Sequence, residues 1–277
     1  MIPYTQQMPD AAGFPNPVRT TTRKNDIDSS IIYAKRIQEA ILPERMILSH
    51  NFKESFLLFR PKDILSGDFY WYARLGNKFI CAIGDCTGHG IPGAMVSMLG
   101  YAVLDDIVKT GGITDPGHIL RRLDKGIRKL FKQGREGYGI NDGMDIAICT
   151  IDFQAKKVSF SGANRPMVYS RDGKLLTYKG NKNSIGGAQH FDAIAFDTIY
   201  IPYVSGDMIY LFSDGYADQF GGRENKRLMR KEFLSCLQSV GQLSMKEQGE
   251  QLETMHNQWK GSNEQTDDYL FMGIKLD

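Results

Sequence analysis

The sequence predicts an α+β fold in which two antiparallel sheets stack face to face, with pairs of helices on their outer faces (α-β-β-α layers) and a linker helix in front. Three observations carry this prediction. Short runs rich in aromatic and β-branched residues recur along most of the chain, glycine and asparagine punctuate them, and two pairs of helical stretches interrupt them in the order strands, helix pair, strands, helix pair, strand. With 277 residues, 42% of them hydrophobic, the chain can fill a core of that size.

Residues 1–24 carry Pro3, Pro9, Pro15 and Pro17 among Gln, Thr, Lys and Arg with no apolar period, and read as a disordered tail or linker. From Asp26 to Leu42 an amphipathic helix of about four turns is expected, with Ile27, Ile31, Ala34 and Ile41 on one stripe and Ile32, Ala40 and Leu42 beside it. Asp28 or Ser29 would cap its start and Pro43 its end, so residues 25–45 form a linker helix and residues 46–277 the domain that follows. The stripe suits either packing on that domain or a two-stranded coiled coil. Strands are expected at Phe52 to Phe59, Asp68 to Leu75 and Lys78 to Gly84, then helices at Gly93 to Lys109 and Pro116 to Lys132. A second group of strands covers Met144 to Asp152, Lys156 to Ser161, Met167 to Ser170, Lys174 to Tyr178, Ile194 to Pro202 and Asp207 to Phe212. Helices at Lys231 to Val240 and Ser244 to Trp259 precede a last strand, Asp268 to Leu276.

A net charge of +2, from 34 basic and 32 acidic residues, makes no electrostatic case for nucleic acid or anionic membrane as the partner. Cys81, Cys86, Cys149 and Cys236 lie far apart with no CxxC pair, which argues against a zinc ribbon, a redox motif or a disulfide scaffold and suits a reducing cytoplasm. No run of about 18 apolar residues is evident and the N-terminus lacks the order of a secretory signal. The chain is therefore expected to be cytoplasmic, neither exported nor membrane-spanning.

The sharpest feature is a set of aspartates at strand ends: Asp68 in SGDFYW, Asp85 in IGDCTGHG, Asp214 in LFSDGY and Asp267 in TDDYLFMG. A single aspartate beside glycine is ordinarily a turn residue. Four of them on strands that converge on one sheet edge would gather more negative charge than a protein holds without cations. Ligands that are all oxygen select Mg²⁺ or Mn²⁺ over zinc. Two such ions about 4 Å apart suit hydrolysis of a phosphate ester by a metal-activated water. His89, four residues after Asp85, is a candidate proton donor to the leaving oxygen, although a histidine in a glycine-rich turn more often caps or docks a helix. The surroundings of Cys86 and Cys149 identify neither as a nucleophile.

The stretches RPKDILSGDFYW, GDCTGHGIPGAMVSMLG, LFSDGYADQFGG and TDDYLFMGIKL, in this order between Asn51 and Leu276, resemble the SpoIIE-type branch of the metal-dependent (PPM) serine/threonine protein phosphatases. The DCTGHGIPGAM segment is the most specific part of the likeness. It implies a β-sandwich flanked by helix pairs, with two Mn²⁺ or Mg²⁺ ions at one end. Asp85 matches the aspartate that bridges both ions, the carbonyl of Cys86 matches a backbone ligand, and Asp68 matches the first-motif aspartate. Asp214 and Asp267 match the two later aspartates, with Asp268 an alternative to Asp267, and Asp145 is a candidate for a third ion. In the wider family an arginine shortly before the first aspartate holds the substrate phosphate; here Arg60 and Lys62 precede Asp68 at a different spacing. The resemblance further implies phosphoserine or phosphothreonine substrates on proteins of the anti-sigma antagonist type and gating by an upstream sensor. YAKRIQEAILPERM looks like the helical linker of such a device, which favours the coiled coil and a homodimer through Ile27, Ile31, Ala34 and Ile41. The competing function is a catalytically weak signalling module that binds a phosphorylated partner, and the complete aspartate set speaks against it. A nucleotide cyclase, suggested by SGDFYW, lacks the glycine-rich nucleotide frame.

Overall fold

In the computed structural model, residues 17–134, 139–187 and 195–277 are described, with side chains from Asp26 onward. One sheet has the order β1 (Ser55–Arg60), β13 (Tyr269–Lys275), β10 (Met208–Phe212), β6 (Met167–Arg171), β7 (Lys174–Tyr178). The other runs β2 (Asp68–Leu75), β3 (Lys78–Cys86), β4 (Gly143–Asp152), β5 (Lys157–Ala163), β9 (Ile199–Pro202), with β8 (Ile185–Gly186) beside the start of β4. Every strand pairing within the two sheets is antiparallel, and after β10 the chain forms a short helix, α5 (Gly215–Asp218), and a two-stranded ribbon of β11 (Phe220–Gly221) and β12 (Lys226–Arg227).

The period-2 alternation of the strands sorts their side chains into separate apolar spaces. Tyr70, Tyr72, Phe79, Cys81, Ile83, Leu270 and Met272 point between the sheets. Phe69, Trp71, Ile80 and Ala82 point outward from β2 and β3, where α3 (Gly90–Asp105) and α4 (Pro116–Leu130) cover them with Val96, Leu104, Leu120 and Leu123. On the far side Phe56, Tyr210 and Phe271 meet Phe233, Leu237 and Leu252 of α6 (Met229–Val240) and α7 (Met245–Lys260). The α-β-β-α layering is as the sequence predicts.

Local sequence explains the helix ends. Asp115 caps α4, accepting from His118 N at 2.9 Å with Pro116 in the first turn, and Ser244 with Glu247 forms a capping box on α7. Three departures matter. First, α1 runs Pro17–Ile41, so residues 17–24 are helical and not the expected tail, and Asp28 and Ser29 lie inside the helix. Proline suits the first helical position and no breaker follows it; a polar helix has no apolar period to betray it. The rest of the expected tail, residues 1–16, lies outside the described residues. Second, the strand expected at Phe52 to Phe59 runs instead from Ser55 to Arg60, and a short helix that was not expected, α2 (Met46–Asn51), precedes it and buries Leu48. Third, α3 continues as a π-helical turn, Asp106–Thr110, and Gly90–Thr110 is long and apolar enough by length and composition to cross a membrane, a stretch the sequence reading overlooked. Here Val96, Leu104, Ile107 and Val108 pack it onto the sheet. Of the expected strand Ile194 to Pro202, residue 194 lies outside the described residues and the strand begins at Ile199.

Along α1 the predicted stripe is only partly covered. Ile31, Ala34 and Ile41 are half-buried, Ile27 is 59% exposed, and the best-buried side chain is Gln38, which the sequence reading did not single out. Gln38 Nε2 donates to Ser66 O (2.7 Å) and Ser97 Oγ (3.1 Å), and its Oε1 accepts from Ser66 N (3.1 Å). Ile32, Tyr33 and Ile37 remain exposed on the outer face.

Candidate active site

The two-residue turn Gly76–Asn77 between β2 and β3, with Gly76 at φ +58°, fixes the register of that hairpin, and at its open end Asp68 faces Asp85. The next pairing sets Asp85 opposite Asp145 on β4. Three aspartates therefore stand in one row across three strands. A one-residue slip would send alternate members to opposite faces. After Asp85 the chain turns through Gly88 (φ +81°) and folds tightly, so that a Cβ on Gly93 would lie 2.2 Å from Gly88 O. This loop carries His89 to the N-terminus of α3.

The opposite sheet supplies Asp214, just after β10 and 45% exposed, and Asp267, just before β13. Arg165, in the turn between β5 and β6, joins the two sheets: its Nη2 donates to Asp85 and to Asp214 Oδ2 (2.8 Å), with Asp145 Oδ2 at 3.8 Å. Asp145 is also held by Ser184 Oγ (2.6 Å) and Asn164 Nδ2 (3.0 Å). A cavity beside these groups is walled by Thr87, Asn141, Asp145, Arg165 and Ser184.

The charges do not balance. Burial, and then the neighbouring Asp85, raise Asp68 well above the usual carboxylate range despite the Ser213 hydroxyl. Asp85 is also raised well, by burial first and then by Asp214 and Asp267, although Arg165 opposes them. Asp267 is raised by burial, with Asp214 and Asp268 adding to it. Arg165 is held above its ordinary value because these carboxylates outweigh its own burial. Asp68 Oδ2 is buried with no hydrogen-bond partner.

The remaining predicted residues separate. Asp268 is 3% exposed and both its oxygens are taken by backbone amides, Oδ1 by Lys62 N and Oδ2 by Gly67 N, each at 2.7 Å. Asp267 Oδ1 accepts from Asp268 N at 2.8 Å. The Cys86 thiol is buried among apolar side chains under α3, and burial followed by Asp85 pushes its pKa well up, so nothing there activates it as a nucleophile. His89 pairs through Nδ1 with Asp63 Oδ2 (2.7 Å) at an exposed rim and does not touch the aspartate row. Arg60 is turned away to Glu253 on α7, at 2.5 Å. Arg165 is the residue that sequence reasoning missed; its signal was an arginine after a strand at the same sheet end as the aspartates, in GANRP.

As they stand, no three acidic, histidine or cysteine groups among the described residues converge on one point closely enough to hold an ion, since the Arg165 guanidinium lies between Asp85 and Asp214. The donor set nevertheless fits hard divalent cations. It is oxygen only, one of its oxygens is buried and orphaned, and one guanidinium faces three carboxylates.

Comparison with known proteins agrees with this geometry. The SpoIIE family profile, Stage II sporulation protein E, matches residues 76–277. The chain is 25% identical over 201 residues to the phosphoserine phosphatase RsbU of Bacillus subtilis (strain 168), covering 70% of this chain and 55% of RsbU. It thus spans about half the length of that relative. Among solved structures it resembles the SiaA-PP2C domain of Pseudomonas aeruginosa at 30% identity and a TM-score of 0.83, over 92% of this chain and 99% of that one. The fold also matches the PP2C phosphatase domain of SpoIIE from Bacillus subtilis, with a TM-score of 0.64 at 18% identity over 80% of this chain and 63% of the other. The chain belongs to the SpoIIE family of PP2C-type serine/threonine protein phosphatases.

Proposed function

We propose that this domain hydrolyses phosphoserine or phosphothreonine on a protein partner, with Asp85, Asp214, Asp267 and the Cys86 carbonyl holding two Mn²⁺ or Mg²⁺ ions and Asp145 available to a third. The observation that supports it is the undercompensated carboxylate row across β2, β3 and β4, which faces Asp214 and Asp267 from the other sheet. Bound there, such ions supply Lewis acidity to the phosphoryl group and lower the pKa of a water molecule. Asp267 is preferred to Asp268 as a ligand because both Asp268 oxygens already fasten the β1–β2 segment. Asp68 stands opposite Asp85 in the hairpin register, and its unpartnered Oδ2 is a further oxygen ligand for these ions. Asp63 fixes the His89 ring, leaving Nε2 to protonate the departing serine oxygen. The related RsbU is a phosphoserine phosphatase, which supports a phosphoprotein substrate, here of the anti-sigma antagonist type.

The partners proposed are that substrate, an upstream sensor and a second copy of the chain, in a cytoplasmic setting without nucleic acid or membrane contact. For the homodimer, Ile27, Ile32, Tyr33 and Ile37 are the exposed apolar residues of α1, whereas Ile31, Ala34 and Ile41 already lean on the domain. Incubation of a phosphorylated proteome with and without Mn²⁺ tests the function: specific phosphoserine or phosphothreonine sites lose phosphate only with the metal. Stoichiometric retention of a phosphorylated partner without release of phosphate would instead identify a binding module.

A further inference from the structure

We propose that Arg165, carried by the β5–β6 turn, is the residue that grips the substrate's phosphoryl group, in place of an arginine ahead of the first aspartate. The proposal rests on the phosphatase reading above and adds the anion-binding group to it. Arg60 is committed to Glu253 and Lys62 stands on the side of Asp267. Arg165 is the one lysine or arginine among the described residues lining the cavity beside Asp85 and Asp145. Its side chain is 12% exposed, and its Nε is buried with no hydrogen-bond partner. A guanidinium has five donors, and here the three carboxylates engage only Nη2. Arg165 lines that polar cavity with donors that the carboxylates leave unused, and an unpaired donor on a largely buried arginine is costly unless an anion completes it.

The carboxylates explain why Arg165 waits there. They are its counter-ions while no other cation offsets them, and cations bound to Asp85 and Asp214 compete with the guanidinium for the same oxygens. A guanidinium so displaced remains cationic, since arginine does not lose its proton in proteins, and a phosphoryl dianion is the partner of matching charge and shape. Arg165 therefore contributes to phosphate affinity and works against metal affinity.

The experiment compares wild type, Arg165→Met, Arg165→Lys and Lys62→Met. Calorimetry measures Mn²⁺ binding and then binding of inorganic phosphate to the Mn²⁺-loaded protein. Inhibition of p-nitrophenyl phosphate hydrolysis by phosphate gives a second reading, and circular dichroism reports folding. Arg165→Met is expected to bind Mn²⁺ as tightly as wild type or several-fold tighter, and phosphate roughly tenfold to a hundredfold more weakly. Arg165→Lys recovers part of the phosphate affinity because it restores charge without the fork; if Arg165→Met does not fold, a several-fold loss in Arg165→Lys supports the proposal and an unchanged affinity overturns it. Unchanged phosphate affinity in a folded Arg165→Met overturns it, as does a larger loss in Lys62→Met. If wild type shows no Mn²⁺-dependent hydrolysis the phosphatase reading fails, and the calorimetric phosphate affinities still decide the role of Arg165.

Discussion

Strands β6 and β10 lie side by side and antiparallel, and each end of the pair carries an arginine–aspartate contact. At one end Arg171 meets Asp207: the carboxylate accepts from Arg171 Nε (3.0 Å) and Nη2 (2.6 Å), from Val204 N (2.8 Å) and from the Tyr169 hydroxyl. These partners overcome its burial and hold Asp207 below the usual carboxylate range. At the other end Arg165 meets Asp85, Asp145 and Asp214, and Asp85 is held well above that range. The same residue types make a finished joint at one end and an unfinished one at the other. What separates them is the number of carboxylates per guanidinium, and an excess of buried negative charge is a place for cations.

Substitution should separate the two ends. Asp85→Asn is expected to reduce kcat by on the order of 100-fold or more, roughly 3 kcal/mol of transition-state stabilisation, while the melting temperature of the metal-free protein stays level or rises. Steady-state kinetics and a thermal melt in chelator check this. A normal kcat in Asp85→Asn would erase the distinction between the ends. Asp207→Asn should do the reverse, costing about 2 kcal/mol of stability with kcat unchanged within a factor of about two. Because Asp207 is lowered in the folded protein, its stabilisation is full above the unfolded pKa, about 3.9, and is lost as pH falls through the folded value. Denaturant melts between pH 3 and 7 should show Asp207→Asn converging on wild type at the acid end.

A third buried group shows what burial does with no partner at all. His256 on α7 is 1% exposed, neither ring nitrogen has a hydrogen-bond partner, and burial pushes its pKa down to about 4. Folding therefore favours the neutral ring: its contribution is intact above about pH 6.5, the unfolded value, and falls away between 6.5 and about 4, where only the unfolded chain takes the proton. His256→Phe should remove on the order of 2 kcal/mol of this acid sensitivity, read as a flatter dependence of denaturation midpoint on pH. The smallest effect expected is that of Gln38→Leu, about 1 kcal/mol, since Ser66 N then loses its partner. Ser66 Oγ in turn accepts from Asp68 N at 3.1 Å, so a change in Mn²⁺ half-saturation in Gln38→Leu would show that α1 is felt at the aspartate row.

The sandwich was legible because strand alternation and paired helices are local patterns that survive translation into layers. The aspartate row was legible for the same reason: Asp68 and Asp85 sit at strand ends whose partner is set by a short turn. Features that depend on distant partners were not. Arg165 meets Asp85 from 80 positions away, and nothing periodic in GANRP announces it. The choice between Asp267 and Asp268 turns on amides of Lys62 and Gly67, about 200 positions upstream. The length of α1 was hidden because a polar helix leaves no apolar trace, and its anchor is a glutamine, Gln38, not a member of the isoleucine stripe.

The central claim is that the unfinished end of the β6–β10 pair is completed by divalent cations and then cleaves phosphate from protein serine or threonine. Release of phosphate from a phosphoserine peptide, followed with Mn²⁺ and again in excess chelator, tests it directly. The account predicts turnover that appears with Mn²⁺, saturates with it and vanishes in chelator. Full turnover in chelator, or none with saturating Mn²⁺ in a protein that calorimetry shows to have bound the ion, would contradict it.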